Sequence, residues 1–514
     1  NGYAEFSMRN KSRRPQIYVG ANDGMLHAFD EDLNERWAFV PPSVIPKLRD
    51  MLGEVSSTRG GGKSNSVFNV DGPIIVKDVY IHTTKEWKTV LVGGLGYGGK
   101  SYYVLDITDP DDPQHMFTIA NNDANKTVNY WAADGTKSSY PYLSAPEHID
   151  YQKLGDTWSR PSIMLLPYQS IDGKIKQRWT MVFGGGYGGG ASSGFGPYVF
   201  VLDFEPDTTL SPNTSGGKII SAKAIPPDPL SNIPNGVTAH MSVITSDTTS
   251  MANYYGGIAF FTDLQGQLWK YNLSKATLSE DNDKLFELNL AFRAEGTLAN
   301  GRYGFNQIAT TIVQDEAGSS LFNYFGTGDQ SRIQSRDSTI NNRIFGIRDA
   351  DFPGYGLTLT GTAKNAASSD SQNIDDAKCV TDVTQNWYSN VYSKTSLVSS
   401  PAADWTKVIG RAGLYNKSIF FSIYRPEALA CPLTGDSQII EISDGCGGVR
   451  QYSVGEGLIT APVIDGRGNI YVGLSNLAEG SKIGGDGVDN ITRIGSGAES
   501  SKGVDWKSWQ EITY

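Results

Sequence analysis

The amino-acid sequence predicts an all-β protein with the architecture of a β-propeller. Its 514 residues include 58 glycines, 26 tyrosines and 10 tryptophans, a composition typical of strands joined by tight turns. One unit recurs along the chain: an apolar strand, a glycine-containing turn, and an aromatic-rich strand that ends in Asp or Asn. Repeated hairpins with no helical periodicity between them are typical of propellers.

Seven copies of this unit can be counted, and their first strands begin near residues 17, 91, 181, 258, 322, 418 and 470. The uneven spacing predicts irregular blades with long loop insertions on a single propeller domain that spans 1–514. Three polar, Pro- or Ser-rich stretches are the expected insertions: 121–153, 207–236 and 361–383. Two short helical segments, 43–52 and 281–291, are expected to decorate this scaffold.

The stretch 94–101, GLGYGGKS, allows two incompatible interpretations. It matches the phosphate-loop pattern G-x-x-x-x-G-K-[ST], which requires a helix directly after the lysine, because the helix N-terminus supplies donors to the phosphate. The residues after Lys100 are SYYVLDITDP, whose β-branched and aromatic side chains favour a strand. The sequence therefore favours a hairpin turn in which Lys100 faces solvent.

Other patterns associated with catalysis also lack their structural context. The nucleophile-elbow pattern G-x-S-x-G at 190–194 requires a strand, a turn and a helix, whereas here it lies inside a glycine-rich hairpin. The five histidines show no metal-ligand spacing on one element; they are His27, His82, His115, His148 and His240. We therefore expect a protein without catalytic residues.

The charge balance restricts the kinds of partner. A formal net charge of -11 argues against nucleic acid or an anionic membrane surface as the main partner. No apolar run approaches the length of a membrane span, so the chain is predicted to be soluble. It begins at Asn1 without a signal peptide, which predicts that it is part of a longer protein.

Three cysteines give a prediction about the compartment. Cys431 and Cys446 flank the hairpin-like run SQIIEIS, and a disulfide between them would contribute about 3 kcal/mol. That bond would imply an oxidising compartment and leave Cys379 free or paired elsewhere. The alternative is three unpaired thiols in a reducing cell.

Several segments resemble the C-terminal domain of the PilC/PilY family of type IV pilus biogenesis factors and pilus-tip adhesins. They are YVGANDGMLHAFD with RWAFVP (18–41), WKTVLVGGLGYGGKSYYVLDITDP (87–110), DTWSRPSI (156–163), FTDLQGQLWKYNL (261–273) and WQEI (509–512). These segments are spread over nearly the whole chain. In that family the domain is a modified seven-bladed β-propeller, which agrees with the seven units.

The resemblance implies a non-enzymatic, secreted or cell-surface protein at the pilus tip or associated with the outer membrane. Family members promote pilus extension by opposing retraction, and they support adhesion and twitching motility. The expected partners are minor pilins, a host-surface ligand and the N-terminal domain of the same protein, with no nucleic acid.

Many family members also carry a calcium loop, D-x-[DN]-x-D-x-x-x-D, before the strand that corresponds to 258–261. The matching positions here are Thr245, Asp247, Thr249, Met251 and Asn253. Only Asp247 is a carboxylate, and carboxylate count sets calcium affinity. Calcium as a cofactor is therefore expected to bind weakly or not at all at this loop.

Spacing alone indicates an alternative calcium loop in the first insertion. Its oxygen-bearing side chains stand at alternate positions: Asn121, Asp123, Asn125, Thr127 and Asn129. The other interpretation is an Asn-rich turn solvated by water.

Two further classes of function stay open. The segment LHAFDEDLNERWAF (26–39) resembles the repeat of pyrroloquinoline-quinone dehydrogenases, although the adjacent cysteines frequent in those enzymes are missing here. The other alternative is a plain scaffold propeller, which differs only in its partner. For a binding function, the expected contact surfaces are the aromatic and glycine-rich loops, with the insertion 121–153 as the first choice. The alternative is that the aromatic residues of this insertion only cover the blade beneath; these are Tyr130, Trp131, Tyr140 and Tyr142.

Overall fold

The computed structural model describes residues 2–48, 67–169, 175–188, 194–245, 255–275, 285–315, 318–349, 367–375, 386–392, 404–427, 435–443, 449–475 and 491–495. Within these ranges the regular structure is almost entirely β, which confirms the predicted class. One α-helix, α1 (Tyr3–Asn10), precedes the strands, and no helix of the described ranges has the length and apolar character needed to cross a membrane. Short 3-10 helices occur at Ile45–Lys47, Tyr142–Ser144, Glu147–Ile149 and Ser368–Asp370.

The described strands form seven sheets, which we number in chain order. Sheet 1 contains β1 (Ile17–Gly20), β2 (Leu26–Phe29) and β3 (Glu35–Phe39). Sheet 2 contains β4 (Ile74–Ile81), β5 (Glu86–Gly94), β6 (Ser101–Asp106), β7 (Gln114–Asn122), β8 (Thr127–Trp131) and β9 (Lys137–Pro141). Sheet 3 contains β10 (Ser162–Gln169), β11 (Ile175–Gly184), β12 (Tyr198–Asp203) and β13 (Ile219–Ala224).

The remaining four sheets follow the same plan. Sheet 4 contains β14 (Ser242–Thr245), β15 (Tyr255–Thr262), β16 (Gln267–Lys275) and β17 (Leu288–Arg293). Sheet 5 contains β18 (Ala309–Asp315), β19 (Gly318–Gly326), β20 (Arg343–Asp349), β21 (Gln372–Asn373) and β22 (Trp387–Asn390), with β21 and β22 parallel. Sheet 6 contains β23 (Lys407–Tyr415), β24 (Ser418–Pro426), β25 (Gly435–Ser443) and β26 (Val449–Glu456). Sheet 7 contains β27 (Val463–Ile464), β28 (Asn469–Gly473) and β29 (Ile491–Gly495).

The repeated unit of the sequence corresponds to one sheet of the structure. Its apolar first strand is β1, β5, β11, β15, β19, β24 or β28, and each of these strands lies in a different sheet. Each first strand pairs antiparallel with the strand that follows it, so the chain reverses direction in the glycine-containing turn between the two. The number of blades in the propeller stays a prediction.

Consecutive sheets pack face to face through separate apolar clusters. Tyr102 of sheet 2 lies 4.5 Å from Phe183 of sheet 3, measured between ring centroids, and Phe292 of sheet 4 lies 5.2 Å from Phe345 of sheet 5. Further clusters join sheets 1 and 2, 3 and 4, 5 and 6, and 6 and 7. Because the middle strands are covered on both faces, strands such as β6 are continuously apolar and do not alternate.

Some segments predicted as loops or helices are strands. The insertion 121–153 supplies β8 and β9, because Val128 and Tyr130 bury their side chains in the core between sheets 2 and 3. The insertion 207–236 supplies β13, and of 361–383 the structure describes 367–375, which includes β21. The helix expected at 281–291 is wrong from residue 288 onward, where β17 pairs with β16.

One buried ion pair joins two sheets and gives a direct test of their packing. Lys270 of β16 places its Nζ 2.6 Å from Oδ2 of Asp349 at the end of β20, and the two side chains are 5% and 4% exposed. The variant Lys270→Met removes the ammonium partner of a buried carboxylate, so we expect the free energy of unfolding to fall by about 3–5 kcal/mol.

Chemical denaturation followed by tryptophan fluorescence measures this loss. The matched control is Arg14→Gln, which breaks the exposed pair with Asp111 and should change the unfolding free energy by less than about 1 kcal/mol. Equal stability of the Lys270→Met variant and the wild type would contradict this account of the interface between sheets 4 and 5.

Candidate functional site

The stretch 94–101 forms the turn between β5 and β6. Ser101 begins a strand, with Gly94 paired to Tyr102 across the hairpin, so the hairpin prediction is confirmed and the phosphate-loop interpretation is wrong. The predicted solvent-facing position of Lys100 is also wrong. Its Nζ lies 3.2 Å from Asp123 and 3.6 Å from Asp156, and these carboxylates hold the side chain at 19% exposure.

This turn is fastened to the chain that enters sheet 3. Thr157 is fully buried and its Oγ1 accepts a hydrogen bond of 2.7 Å from the Leu95 N–H. The Thr157 N–H donates to the Gly99 carbonyl at 3.1 Å, and its own carbonyl accepts from the Gly96 N–H at 3.3 Å. The glycine turn of one sheet is thereby docked, backbone to backbone, on the entry to the next.

The same docking recurs around the molecule. A glycine ends the repeated strand, and a Cβ at that position would lie within 2.7 Å of the segment that enters the next sheet or of the start of its first strand. The four pairs are Gly20 with Val70 (2.5 Å), Gly94 with Thr157 (2.7 Å), Gly184 with Val237 (2.3 Å) and Gly326 with Val408 (2.5 Å). We use the term turn face for this end of the molecule, formed by 94–101, 155–160, 184–188 and 302–306.

Aromatic side chains form a continuous row across the turn face. Tyr97 meets Trp158 edge to face, with ring centroids 4.2 Å apart. Trp158 continues to Tyr187 at 6.1 Å and to Phe305 at 5.9 Å. Phe68 extends the row beyond Tyr97 at 5.4 Å. Phe68 and Tyr97 are 47% and 37% exposed, so part of this row is available to a partner.

A cleft of about 370 Å³ lies beside the row. Its lining includes Tyr97, Tyr187, Leu298, Tyr303 and Arg332. Leu298 is 45% exposed, and the Arg332 guanidinium is held at the rim by Asp329 at 2.7 Å and by the Tyr303 hydroxyl at 3.1 Å. The cleft therefore combines aromatic and apolar lining residues with a guanidinium group that is paired with a carboxylate.

The electrostatics of the turn face follow from burial. Burial raises the pKa of Tyr97 to about 12, so its hydroxyl stays protonated. Burial also raises the pKa of Asp156, although Lys100 opposes the shift. The Trp158 Nε1 is buried without a hydrogen-bond partner among the described residues. This arrangement offers aromatic rings and the Tyr97 hydroxyl to a partner.

The aromatic residues that the sequence offered as a contact surface mostly cover the sheet. Tyr130 and Trp131 are 2% and 8% exposed, and the Tyr130 hydroxyl donates to the Gly216 carbonyl at 3.0 Å. Tyr140 and Tyr142 are half-buried. For Tyr130 and Trp131 the covering interpretation is therefore correct.

The choice of the insertion 121–153 as the first contact surface overlooked Tyr97 and Tyr187, which lie in glycine-rich turns. A signal for them exists in the sequence, because each tyrosine sits at the same position of a glycine turn, GGLGYGGK and GGGYGGG.

The structure positions only part of the predicted calcium loops. Thr245 ends β14, whereas Asp247, Thr249, Met251 and Asn253 lie outside the described residues. In the alternative loop, Asn121 pairs with Val128 and Asn129 with Ala120, so the Asn121 and Asn129 side chains point to opposite faces.

The other members of the alternative loop lie around its turn. Asp123 contacts Lys100, Asn125 lies in the turn and Thr127 begins β8. No three His, Cys, Asp or Glu side chains cluster as metal ligands in the described ranges. Calcium binding at either loop stays a prediction.

Several other predicted features lie outside the described residues. These are the proposed disulfide between Cys431 and Cys446, the leftover Cys379, residues 190–193 of the nucleophile-elbow pattern, and the terminal segment 509–512.

A channel forms where the first strands of five sheets converge. These strands are β4, β10, β14, β18 and β23, and they line one cavity of about 430 Å³. Each is the edge strand of its sheet, and the later strands β12, β16, β20 and β25 contribute no described lining residue. The second strands β11 and β15 also line the cavity, through Gln177, Trp179 and Gly256.

His240 directly precedes Met241, one of the residues that line this cavity. Its Nδ1 is buried without a hydrogen-bond partner in the described part of the chain. Burial, with a smaller contribution from the nearby Arg160 and Arg411, lowers the pKa of His240 to about 3. The ring is therefore neutral at physiological pH.

Because the turn 94–101 packs closely against Asn69, one added methyl group at Gly98 should lower the stability of the fold. A Cβ on Gly98 would lie 1.7 Å from the Asn69 carbonyl oxygen, whereas a Cβ on Gly466 would have no neighbour within 4 Å. We expect Gly98→Ala to lower the free energy of unfolding by about 1–3 kcal/mol through overpacking. The control Gly466→Ala should stay within about 0.5 kcal/mol of the wild type.

Urea denaturation of both variants measures the difference. An unchanged denaturation midpoint for Gly98→Ala would show that the turn is not held against Asn69.

The neutral His240 predicts a pH-dependent stability. Because the pKa of the folded state lies below the unfolded value, the unfolded chain binds more protons between pH 6.5 and pH 3, and stability falls as the pH falls through this window. From pH 6.5 to pH 5 the wild type should lose about 1–2 kcal/mol through this residue. His240→Gln should remove that loss, and the control His148→Gln should retain it.

Thermal and urea unfolding at a series of pH values provide the measurement. The same pH slope in His240→Gln and the wild type would contradict the assignment.

Comparison with known proteins agrees with this architecture. The family model described as the PilY1 beta-propeller domain matches residues 1–135. Type IV pilus biogenesis factor PilY1 of Pseudomonas aeruginosa strain PAO1 is 28% identical over 281 residues, which are 54% of this chain and 19% of that protein. A PilY1 homolog of Xylella fastidiosa strain Temecula1 is 25% identical over 464 residues, which are 87% of this chain and 27% of that protein.

A solved structure shows the same fold. The crystal structure of the Pseudomonas aeruginosa PilY1 C-terminal domain superposes with a TM-score of 0.57 at 19% identity, covering 92% of this chain and 94% of that one. The chain spans 19% and 27% of the length of the two curated relatives. The family model over residues 1–135, the two relatives and the shared fold support assignment to the PilC/PilY family, and the described sheets have the all-β fold of its C-terminal β-propeller domain.

Proposed function

We propose that this domain acts in type IV pilus biogenesis as a non-enzymatic binding module that docks minor pilins at the pilus tip through its turn face. The observation that carries the proposal is the exposed aromatic row with its adjoining cleft. The names of the curated relatives, which are pilus biogenesis factors, support the cellular process.

The chemistry of the turn face suits a protein partner. Aromatic and arginine side chains are the residues that dominate binding energy at interfaces, and Tyr97, Leu298 and Arg332 are available there. Thr157 fixes the backbone under the row, so little conformational entropy is lost when a partner binds. A preorganised surface of this kind favours a stable tip complex.

The same proposal covers localisation, pilus extension, twitching motility and adhesion, the roles that the resemblance implies. We expect the full protein to be secreted or exposed at the cell surface, at the pilus tip or bound to the outer membrane. A domain that stays bound to minor pilins would promote extension by opposing retraction, and it would support twitching motility and adhesion to a host-surface ligand. The N-terminal domain of the same protein completes these activities.

Two alternatives are weighed against this proposal. The quinoprotein alternative receives no support from the relatives, which are named as biogenesis factors. A plain scaffold propeller differs only in its partner, so the binding experiment below separates it from the tip module.

Loss of the aromatic row should weaken pilin binding. The double variant Tyr97→Ala/Tyr187→Ala removes two rings that line the cleft, and truncation of such anchors costs more than about 1.4 kcal/mol, or about tenfold in affinity. The matched control is Leu143→Ala, a fully exposed side chain in the insertion 121–153, which should bind like the wild type.

Biolayer interferometry against the purified minor pilins of the same organism measures both affinities. Twitching zones of cells that carry each variant provide the cellular readout. A loss of binding in Leu143→Ala together with full binding by the double tyrosine variant would contradict the proposal.

Calcium should contribute little to this function. With Asp247 as the one carboxylate of the family-matched loop, we expect affinity weaker than that of calcium-sensor sites, which is roughly 10⁻⁷–10⁻⁵ M. Calorimetric titration of calcium into the wild type, Asp247→Ala and Asp123→Ala measures it. Micromolar binding that disappears in Asp247→Ala would contradict this expectation and assign calcium to that loop.

A further inference from the structure

His27 on β2 lies between two carboxylates. Its Nε2 is 2.9 Å from Oδ2 of Asp23 in the turn between β1 and β2, and its Nδ1 is 2.8 Å from Oε1 of Glu35 on β3. The imidazole side chain is 14% exposed, whereas the two acidic side chains are 44% and 49% exposed. A carboxylate only accepts hydrogen bonds, so both contacts form together only when both ring nitrogens carry a proton. The geometry therefore requires the imidazolium form of His27.

The groups around the ring favour this charged form. The residues opposite His27 on β1 and β3 are uncharged, Val19 and Ala38, and within the described residues Asp23 and Glu35 are the charged groups that contact the ring. The hydrogen bond to Glu35 raises the pKa of His27 above its ordinary value of 6.5, burial opposes the shift, and Asp23 adds to it. Both hydrogen bonds are present below the raised pKa, and one is lost as the pH rises through it.

The turn between β1 and β2 supports one end of the aromatic row. Asn22, next to Asp23, accepts two hydrogen bonds from Asn69: one from its backbone N–H at 3.1 Å and one from its side-chain amide at 2.9 Å. Asn69 is fully buried. It directly follows Phe68, whose ring centroid lies 5.4 Å from that of Tyr97. The position of Phe68 in the row therefore depends, through Asn69, on the position of this turn.

We propose that His27, Asp23 and Glu35 form a pH-sensitive latch on the turn face. The imidazolium holds the turn between β1 and β2 against β3 and keeps Phe68 in line with the aromatic row. A neutral ring donates to one carboxylate only, and its other nitrogen then meets a second acceptor, so the turn loosens and the end of the row becomes less ordered. This inference rests on the proposed docking of pilins at the turn face and assigns a regulation to that site: docking is tighter at acidic than at alkaline pH.

Measurements on the free 514-residue chain test the latch without any pilin. Nuclear magnetic resonance of ¹³C-labelled histidine side chains should show His27 titrating above pH 6.5, and Glu35→Gln should move that midpoint to lower pH because one carboxylate is lost. Hydrogen–deuterium exchange of 67–71, expressed as protection factors, should show about two- to fivefold less protection at pH 9 than at pH 6, the effect of one partly exposed ion pair.

Two variants connect this change to His27. His27→Gln has no titrating ring, so protection of 67–71 should be the same at both pH values. The control His82→Gln removes another histidine that contacts a carboxylate, Glu205 at 3.0 Å, and it should retain the wild-type change. Because the pKa of His240 is about 3, its ring stays neutral throughout this range.

Binding to the purified minor pilins then tests the regulation. Biolayer interferometry should give about two- to fivefold weaker affinity at pH 9 than at pH 6 for the wild type and for His82→Gln, and equal affinities for His27→Gln. Thermal melts verify the fold of each variant, and a folding defect confined to His27→Gln leaves the shifted midpoint of Glu35→Gln decisive.

Two kinds of failure are distinguishable. Protection of 67–71 that does not change with pH in the wild type, or that changes equally in His27→Gln, would overturn the latch whether or not the pilins bind. A pH-dependent latch in the free chain with no pilin binding at either pH would overturn the docking function and, with it, the regulation.

Discussion

The architecture depends on the docking of glycine turns against the chain of the next sheet, which four of the repeated strands show. At Gly94 and Gly184 the backbone of one sheet lies so close to Thr157 and Val237 that a methyl group would meet them at 2.7 and 2.3 Å. Hydrogen bonds between the two backbones then fix the relative position of neighbouring sheets. The apolar clusters between sheets provide most of the stabilisation, whereas the turn contacts determine the spacing at which those clusters can close.

Two further features of the molecule are the aromatic row on the turn face and a cavity between the sheets. On the turn face, Tyr97 and Trp158 meet edge to face within the aromatic row. The edge strands of five sheets also line one cavity, together with residues of β11 and β15.

Much of the fold could be predicted from the sequence, because each repeated strand carries a local pattern. The seven apolar strands with glycine turns correspond to seven different sheets, and the strand after Lys100 follows from its β-branched and aromatic residues. The strands β8, β9 and β17 could not be predicted, since polar residues such as Asn129 and Ser139 pair only when a neighbouring sheet buries Val128 and Tyr130. The exposure of Tyr97 and the burial of Trp131 depend on tertiary packing that no local pattern records.

The central claim is that the turn face is the surface on which a pilus partner docks. Hydrogen–deuterium exchange of the chain, alone and with purified minor pilins, tests it most directly because it locates a contact without any mutation. The account predicts slower exchange in 94–101 and 184–188 when the pilins are bound, with unchanged exchange in 121–153. Protection confined to 121–153 would contradict the account and return the contact surface to the insertion.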